Sequence, residues 1–132
     1  ELNPKYEYSY LYLLIATRLS KVDPADAVER LNQYVSSNTP TKWIRIVSKF
    51  YLKIDNTSEL DVLQEARKGK NEREINERLC EAYYYLGIKC LIDGNRNGAE
   101  EFFTKSVGTS IYSFREYEAS KEMLAHIKAG KF

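Results

Sequence analysis

Few residues in this chain could ligate a metal or carry a proton: a single histidine, His126, and two cysteines, Cys80 and Cys90. Structural and catalytic zinc sites draw thiolates and imidazoles from short recurring spacings. The separations among Cys80, Cys90 and His126 match none of them, so no metal site is expected. If both cysteines lie on one helix, a rise of about 1.5 Å per residue puts them roughly 15 Å apart, beyond the ~7 Å a disulfide spans. Two free thiols suit a reducing compartment. Glu100-Glu101, and Asp61 with Glu65, have the spacing of ordinary exposed helix charges, not of a convergent acid–base pair. No nucleophile elbow, phosphate-cradling glycine loop or dinucleotide fingerprint occurs, and the glycines punctuate helices. The expectation is a chain without catalytic or cofactor-binding residues, hence no enzyme. Asn56-Thr57-Ser58 matches a glycosylation sequon, a pattern too frequent to carry an argument.

Tyrosine is what stands out chemically, with 11 in 132 residues, including Tyr6, Tyr8, Tyr10 and Tyr12 near the start and the run Tyr83-Tyr84-Tyr85. Consecutive helical positions point about 100° apart, so three adjacent tyrosines cannot all face one core. Tyrosine buries a large area with few rotamers and is favoured where proteins touch. Tyr83 is expected in the core, with its neighbours turned elsewhere.

Charge excludes other classes of partner. Twenty Lys and Arg against 19 Asp and Glu leave a net charge of +1, no basis for binding nucleic acid or an anionic membrane surface. No stretch reaches about 18 apolar residues, so no membrane span is expected, and no signal-peptide pattern opens the chain. The first residue is Glu1. The reading is of a processed or trimmed piece whose true N-terminus lies upstream. A chain of this length can bury roughly two thirds of its unfolded surface.

The elements follow from apolar spacing. Tyr8, Leu11, Tyr12, Ile15 and Leu19 define a first helical face too long for a strand. Asp23-Pro24 restarts the chain, Asp23 as cap and Pro24 in the first turn of a second helix carrying Ala27, Val28, Leu31 and Tyr34. After the polar break Ser36–Thr41, a third helix presents Trp43, Ile44, Val47, Phe50, Tyr51 and Ile54. Asn56 and Glu59 have capping-box spacing before a short fourth helix with Leu60, Leu63 and Ala66. The charged segment 67–74 reads as a solvated turn. A long fifth helix from about Glu72 to Ile92 stops at Asp93-Gly94, and a sixth runs from about Arg96 to Val107. Ser113 and Glu116 form a capping box, flanked by the staple Tyr112 and Tyr117. The last helix, to about Lys128, shows Phe114, Tyr117, Ser120, Leu124 and Ile127 on one face.

Residues 82–107 organise this all-α chain. Tyr83, Leu86 and Cys90 share one face, and Ala99, Phe102, Phe103 and Ser106 share another after the turn. Tyr83, Leu86-Gly87, Gly94, Ala99 and Phe103 stand at the offsets of a tetratricopeptide repeat, about 34 residues in period. The small residues fall where two antiparallel helices must touch. The chain therefore resembles a tetratricopeptide stack of seven helices forming a single domain over 1–132. Its parts are a first pair at 5–38, a degenerate second pair at 39–70, the best-matching repeat at 72–108 and a capping helix at 113–129. In that register Leu11 and Leu14 occupy the large positions of the first pair, and Ile15 stands where a small residue is usual. The inner surface would include Ser9, Tyr12, Ala16, Glu81, Tyr84, Ile88 and Leu91. It is apolar and aromatic, suited to another protein's helix or extended apolar segment. Tyr12, Ala16, Glu81, Tyr84, Ile88 and Leu91 are the candidate partner-binding residues.

Beyond the repeat, the chain resembles the C-terminal portion of the NlpI-type lipoproteins, tetratricopeptide proteins of the bacterial outer membrane. The segments that carry the likeness are Trp43 to Leu52, Glu81 to Gly87, Gly94 to Phe103, Val107 and the helix start Phe114-Arg-Glu-Tyr117. The resemblance implies a non-catalytic adaptor on the periplasmic side of the envelope. Such an adaptor dimerises, is lipid-anchored upstream, and brings peptidoglycan endopeptidases together with a tail-specific protease. The anchoring cysteine is absent from this sequence, and Cys80 and Cys90 depart from periplasmic habit. The competing expectation is a cytoplasmic peptide-docking repeat domain of a larger enzyme or regulator. An upstream signal peptide with a lipidation cysteine would favour the first, an upstream catalytic domain the second.

Overall fold

In a computed structural model of the chain, residues 8–111 and 113–131 are described. Among them are seven α-helices and no strand: α1 Ser9–Leu19, α2 Ala25–Ser36, α3 Lys42–Leu52, α4 Glu59–Ala66, α5 Glu72–Ile92, α6 Arg96–Gly108 and α7 Arg115–Lys128. The expectation of one domain over 1–132 meets a division into two compact units, residues 1–62 and 63–132, with the boundary inside α4. None of these helices is long and apolar enough to cross a membrane.

In the first unit α1 packs on α2, and α2 on α3. Buried positions recur three and four apart: Leu11, Leu14 and Ile15 on α1, Ala27, Leu31, Tyr34 and Val35 on α2, and Trp43, Ile44, Val47 and Tyr51 on α3. Thr41 caps α3, its hydroxyl accepting from the Ile44 amide at 3.4 Å. At α2 the expected arrangement is shifted by one residue. Pro24 takes the N-cap position, where it makes no side-chain cap bond, and Asp23 Oδ1 accepts from the Ala25 amide at 3.0 Å. The free carbonyls beyond α2 are served instead by Arg45 of α3. Its guanidinium donates to the Val35 carbonyl and, at 3.1 Å, to the Ser37 carbonyl, with that of Pro40 at 3.5 Å.

The cap of α4 is also displaced. Asn56 sits at φ 53° and does not form the box with Glu59. Ser58 and Asp61 form it two residues later: the Asp61 amide donates to Ser58 Oγ at 3.3 Å and the Ser58 amide to Asp61 Oδ2 at 2.7 Å. That amide and the Ser58 hydroxyl hold the Asp61 carboxyl below the usual aspartate range. The apolar face turns accordingly. Val62 and Ala66 are buried beside Glu65, whereas Leu60, expected inside, is 59% exposed.

In the second unit α5 packs on α6, α6 on α7, and α5 on α7. Asn71 caps α5 through the Glu74 amide at 2.9 Å. At its other end Gly94 adopts φ 80°, and the amides of Asn95 and Gly94 return to the carbonyls of Cys90 and Leu91 at 2.7 and 3.1 Å. This is the paired bonding that closes a helix through a left-handed residue. Asn95 then caps α6 through the Gly98 amide at 2.9 Å. One residue thus ends one helix and starts the next, which turns α6 back along α5. At α7 the expected Ser113–Glu116 box is replaced: Phe114 holds the N-cap position without a side-chain cap bond, and Glu116 is buried. Tyr112, the other half of the expected staple, lies outside the described residues.

The same helix-ending device recurs with lysine. Lys21 and Lys53 take φ 56° and 59°, and the following amides, Val22 and Ile54, donate to the Thr17 and Lys49 carbonyls at 3.1 and 3.0 Å. A side chain costs roughly 1 kcal/mol in this conformation and glycine does not pay it. Lys53→Gly is therefore expected to stabilise the chain by about 0.5–1 kcal/mol, read as a raised midpoint in urea at unchanged slope. A lowered midpoint would show that the Lys53 side chain contributes more than its backbone strain costs.

Candidate aromatic surface on the second unit

The candidate surface is built from α5 and α6, and its geometry begins with the three adjacent tyrosines. Tyr85, not Tyr83, is the fully buried one, at 0% exposure. Tyr83 is half-exposed and stacks on Phe102 of α6, with ring centroids 6.4 Å apart and planes 22° from parallel. Lys105 stands over both rings, its Nζ 5.9 Å from Tyr83 and 5.7 Å from Phe102, and pairs with Glu101 at 3.3 Å. Tyr84, also half-exposed, meets Tyr85 edge-on at 5.4 Å and Phe103 at 6.1 Å. A run of three identical side chains carries no signal of which one points inward. Only the packing of α6 decides it.

Beneath these rings lies the close contact that holds the two helices together. A Cβ added at Gly87 would fall 2.6 Å from the Phe103 ring, which is fully buried along with Ala99. Two turns earlier in α5, Ser106 Oγ donates to the Cys80 carbonyl at 2.9 Å and lies 3.5 Å from Cys80 Sγ. Residue pairs 80–106 and 87–103 run in opposite directions along the chain, so α5 and α6 form an antiparallel hairpin.

The other candidate residues divide between the units. On α5, Glu81, Tyr84 and Leu91 are half-exposed on one helical face. Ile88, expected beside them, is 0% exposed and offers nothing to a partner. On α1, Ala16 is exposed, and Tyr12 is half-exposed with its ring stacked on that of Tyr8 at 5.8 Å. Of the repeat positions, Leu86, Gly87, Ala99 and Phe103 are buried, Gly94 makes the turn, and Tyr83 lies toward solvent.

Cys80 and Cys90 are free and buried. Burial pushes the Cys80 thiol up from its ordinary pKa, opposed by hydrogen bonds from Ser106 and Thr109. The raised native value makes the unfolded chain the better acid. The thiol's share of stability is therefore complete below the unfolded value near 9.0 and is lost as pH rises through the native one. Native Cys80 is expected to react with a thiol reagent at pH 8 at least about tenfold more slowly than in the denatured chain. Equal rates would contradict its burial. His126 lies half-exposed in the last turn of α7. Among the described residues no three His, Cys, Asp or Glu side chains gather as a metal would require.

Residue spacing did not point to a second recess, in the first unit, where Tyr10 of α1 meets Tyr34 of α2. The available signal was the tyrosine-rich start of α1, whose partner on α2 spacing alone does not name. The comparison with protein families returned no answering pattern: no known family model matches the chain.

Proposed function

We propose that this protein is a non-catalytic adaptor that works by docking other proteins, and that its helices belong to the tetratricopeptide class. The observation that carries the reading is the α5–α6 hairpin. It combines a small-to-large contact, Gly87 against Phe103, with aromatic side chains, Tyr83, Tyr84 and Phe102, left partly open to solvent. A helix pair of this kind cannot bury all its apolar surface alone, and α7 packs against both of its helices as a terminal cap would. Half-exposed tyrosines with defined ring contacts suit protein recognition, because little rotamer freedom remains to be lost on binding. The likeness to the NlpI-type lipoproteins extends the proposal to envelope partners, peptidoglycan endopeptidases foremost.

The test is the affinity of the purified chain for such an endopeptidase, with Leu91→Glu as probe. Leu91 is half-exposed, so the variant is expected to melt with the parent while binding at least about tenfold more weakly, the effect of a charge set in an apolar contact. Tyr84→Ala serves less well, because the Tyr84 ring also contacts Tyr85 and Phe103 and its loss would disturb the core. Equal affinity for parent and Leu91→Glu would remove this face from the proposal.

A further inference from the structure

We propose that the cleft between α1 and α2 receives a basic side chain, arginine above all, from a peptide segment of a partner protein. The inference rests on the adaptor reading but concerns a different surface, wholly within the first unit. The cleft measures about 500 Å³ and is lined by Tyr10, Asp26, Glu29, Arg30, Gln33 and Tyr34. Helical spacing sets this lining. Asp26, Glu29, Arg30 and Gln33 recur three and four apart along α2, and Tyr10 of α1 closes the opposite wall against Tyr34, with ring centroids 5.1 Å apart and planes at 33°.

Charge selects the guest. Among the described residues of the lining two carboxylates face one guanidinium, a net charge of minus one. Arg30 Nε is already committed to Asp26 at 2.8 Å. Among the described residues Glu29 is held by Gln33, whose Nε2 stands 3.5 Å away, at the outer limit of a hydrogen bond. A carboxylate so weakly engaged, in a recess walled by the half-exposed Tyr10 ring over the buried Tyr34, attracts a planar cation that can stack on Tyr10 and fork to an oxygen. Guanidinium does both, whereas ammonium offers a point charge only. The chain's near-neutral balance of 20 basic and 19 acidic residues means that this preference comes from local placement rather than from a global field.

The probe is acetyl-Gly-Arg-Gly-Arg-Gly-amide, titrated into the full chain at low salt and followed by amide and side-chain NMR shifts. Saturable shifts confined to Tyr10, Glu29, Gln33 and their neighbours are expected, with none from the glutamine-substituted control peptide. Glu29→Gln should weaken binding about threefold to fivefold, as an exposed ion pair would, and Glu29→Arg should abolish it. Both substitutions are at an exposed site, and unchanged helicity and melting will show that the fold survives them. Lysine in place of arginine should bind more weakly, and added salt should weaken both. Equal affinity of parent and Glu29→Gln, shifts located elsewhere, or an equal response to the control peptide would each overturn the proposal. Such a failure would leave the endopeptidase test of the second unit untouched. Conversely, peptide binding here without any endopeptidase binding would uphold the cleft and refute the envelope adaptor.

Discussion

Replacing Phe103 with alanine is expected to lower the stability of the chain by about 3–5 kcal/mol. The ring is fully buried, and its edge fills the space opened by the missing side chain at Gly87, where an added Cβ would stand only 2.6 Å away. The two sites should therefore be coupled. In the parent, Gly87→Ala gains about 1 kcal/mol of helix propensity but loses about 1–3 kcal/mol to overpacking, for a net loss. With Phe103→Ala the obstruction is gone, and Gly87→Ala should become stabilising. A double-mutant cycle in urea, read by circular dichroism, checks this change of sign. Additive effects would mean that Gly87 and Phe103 are not in contact.

The second large effect is expected in the first unit. Arg45→Ala should cost about 2–3 kcal/mol, because one half-buried guanidinium serves the carbonyls of Val35 and Ser37 and approaches that of Pro40. These groups lie at and beyond the end of α2, where carbonyls lack helical partners. Arg45→Lys should recover only part of the loss, since an ammonium cannot spread across carbonyls that a planar fork reaches together. Fluorescence of Trp43, the only tryptophan and itself buried on α3, gives the readout. Full recovery by lysine would reduce the role of Arg45 to charge alone.

Helix number and order were legible because the signals are local. Pro24, Asp93-Gly94 and the apolar spacings mark starts and stops without reference to tertiary structure, and Gly87 with Ala99 announced a close crossing. What escaped depended on neighbours distant in sequence or on competition between adjacent polar residues. Asn56 and Ser58 were both able to cap α4, and the left-handed backbone at Asp55 and Asn56 handed the role to Ser58. The faces of Tyr83, Tyr84 and Tyr85 could not be ranked from an unbroken run. Lys21 and Lys53 end helices in a conformation that glycine signals elsewhere, so no residue type flagged them. Ser48 and Ser120 are fully buried, and among the described residues neither hydroxyl has a hydrogen-bond partner, a cost that spacing does not reveal.

The candidate surface was legible in part for the same reason. Glu81, Tyr84 and Leu91 share one helical face because period alone places them there, and each is partly open to solvent. Ile88, at the same spacing, is fully buried, which period alone does not reveal. Tyr10 with Tyr34 required knowing which helices meet.

The most direct test of the account combines the purified chain, a purified peptidoglycan endopeptidase and isolated peptidoglycan. Complex formation is followed by sedimentation velocity and product release by chromatography. The account predicts a faster-sedimenting complex of chain with endopeptidase and no soluble fragments from peptidoglycan treated with the chain alone. Fragments released by the chain alone, or a mixture that sediments as its separate components, would contradict it.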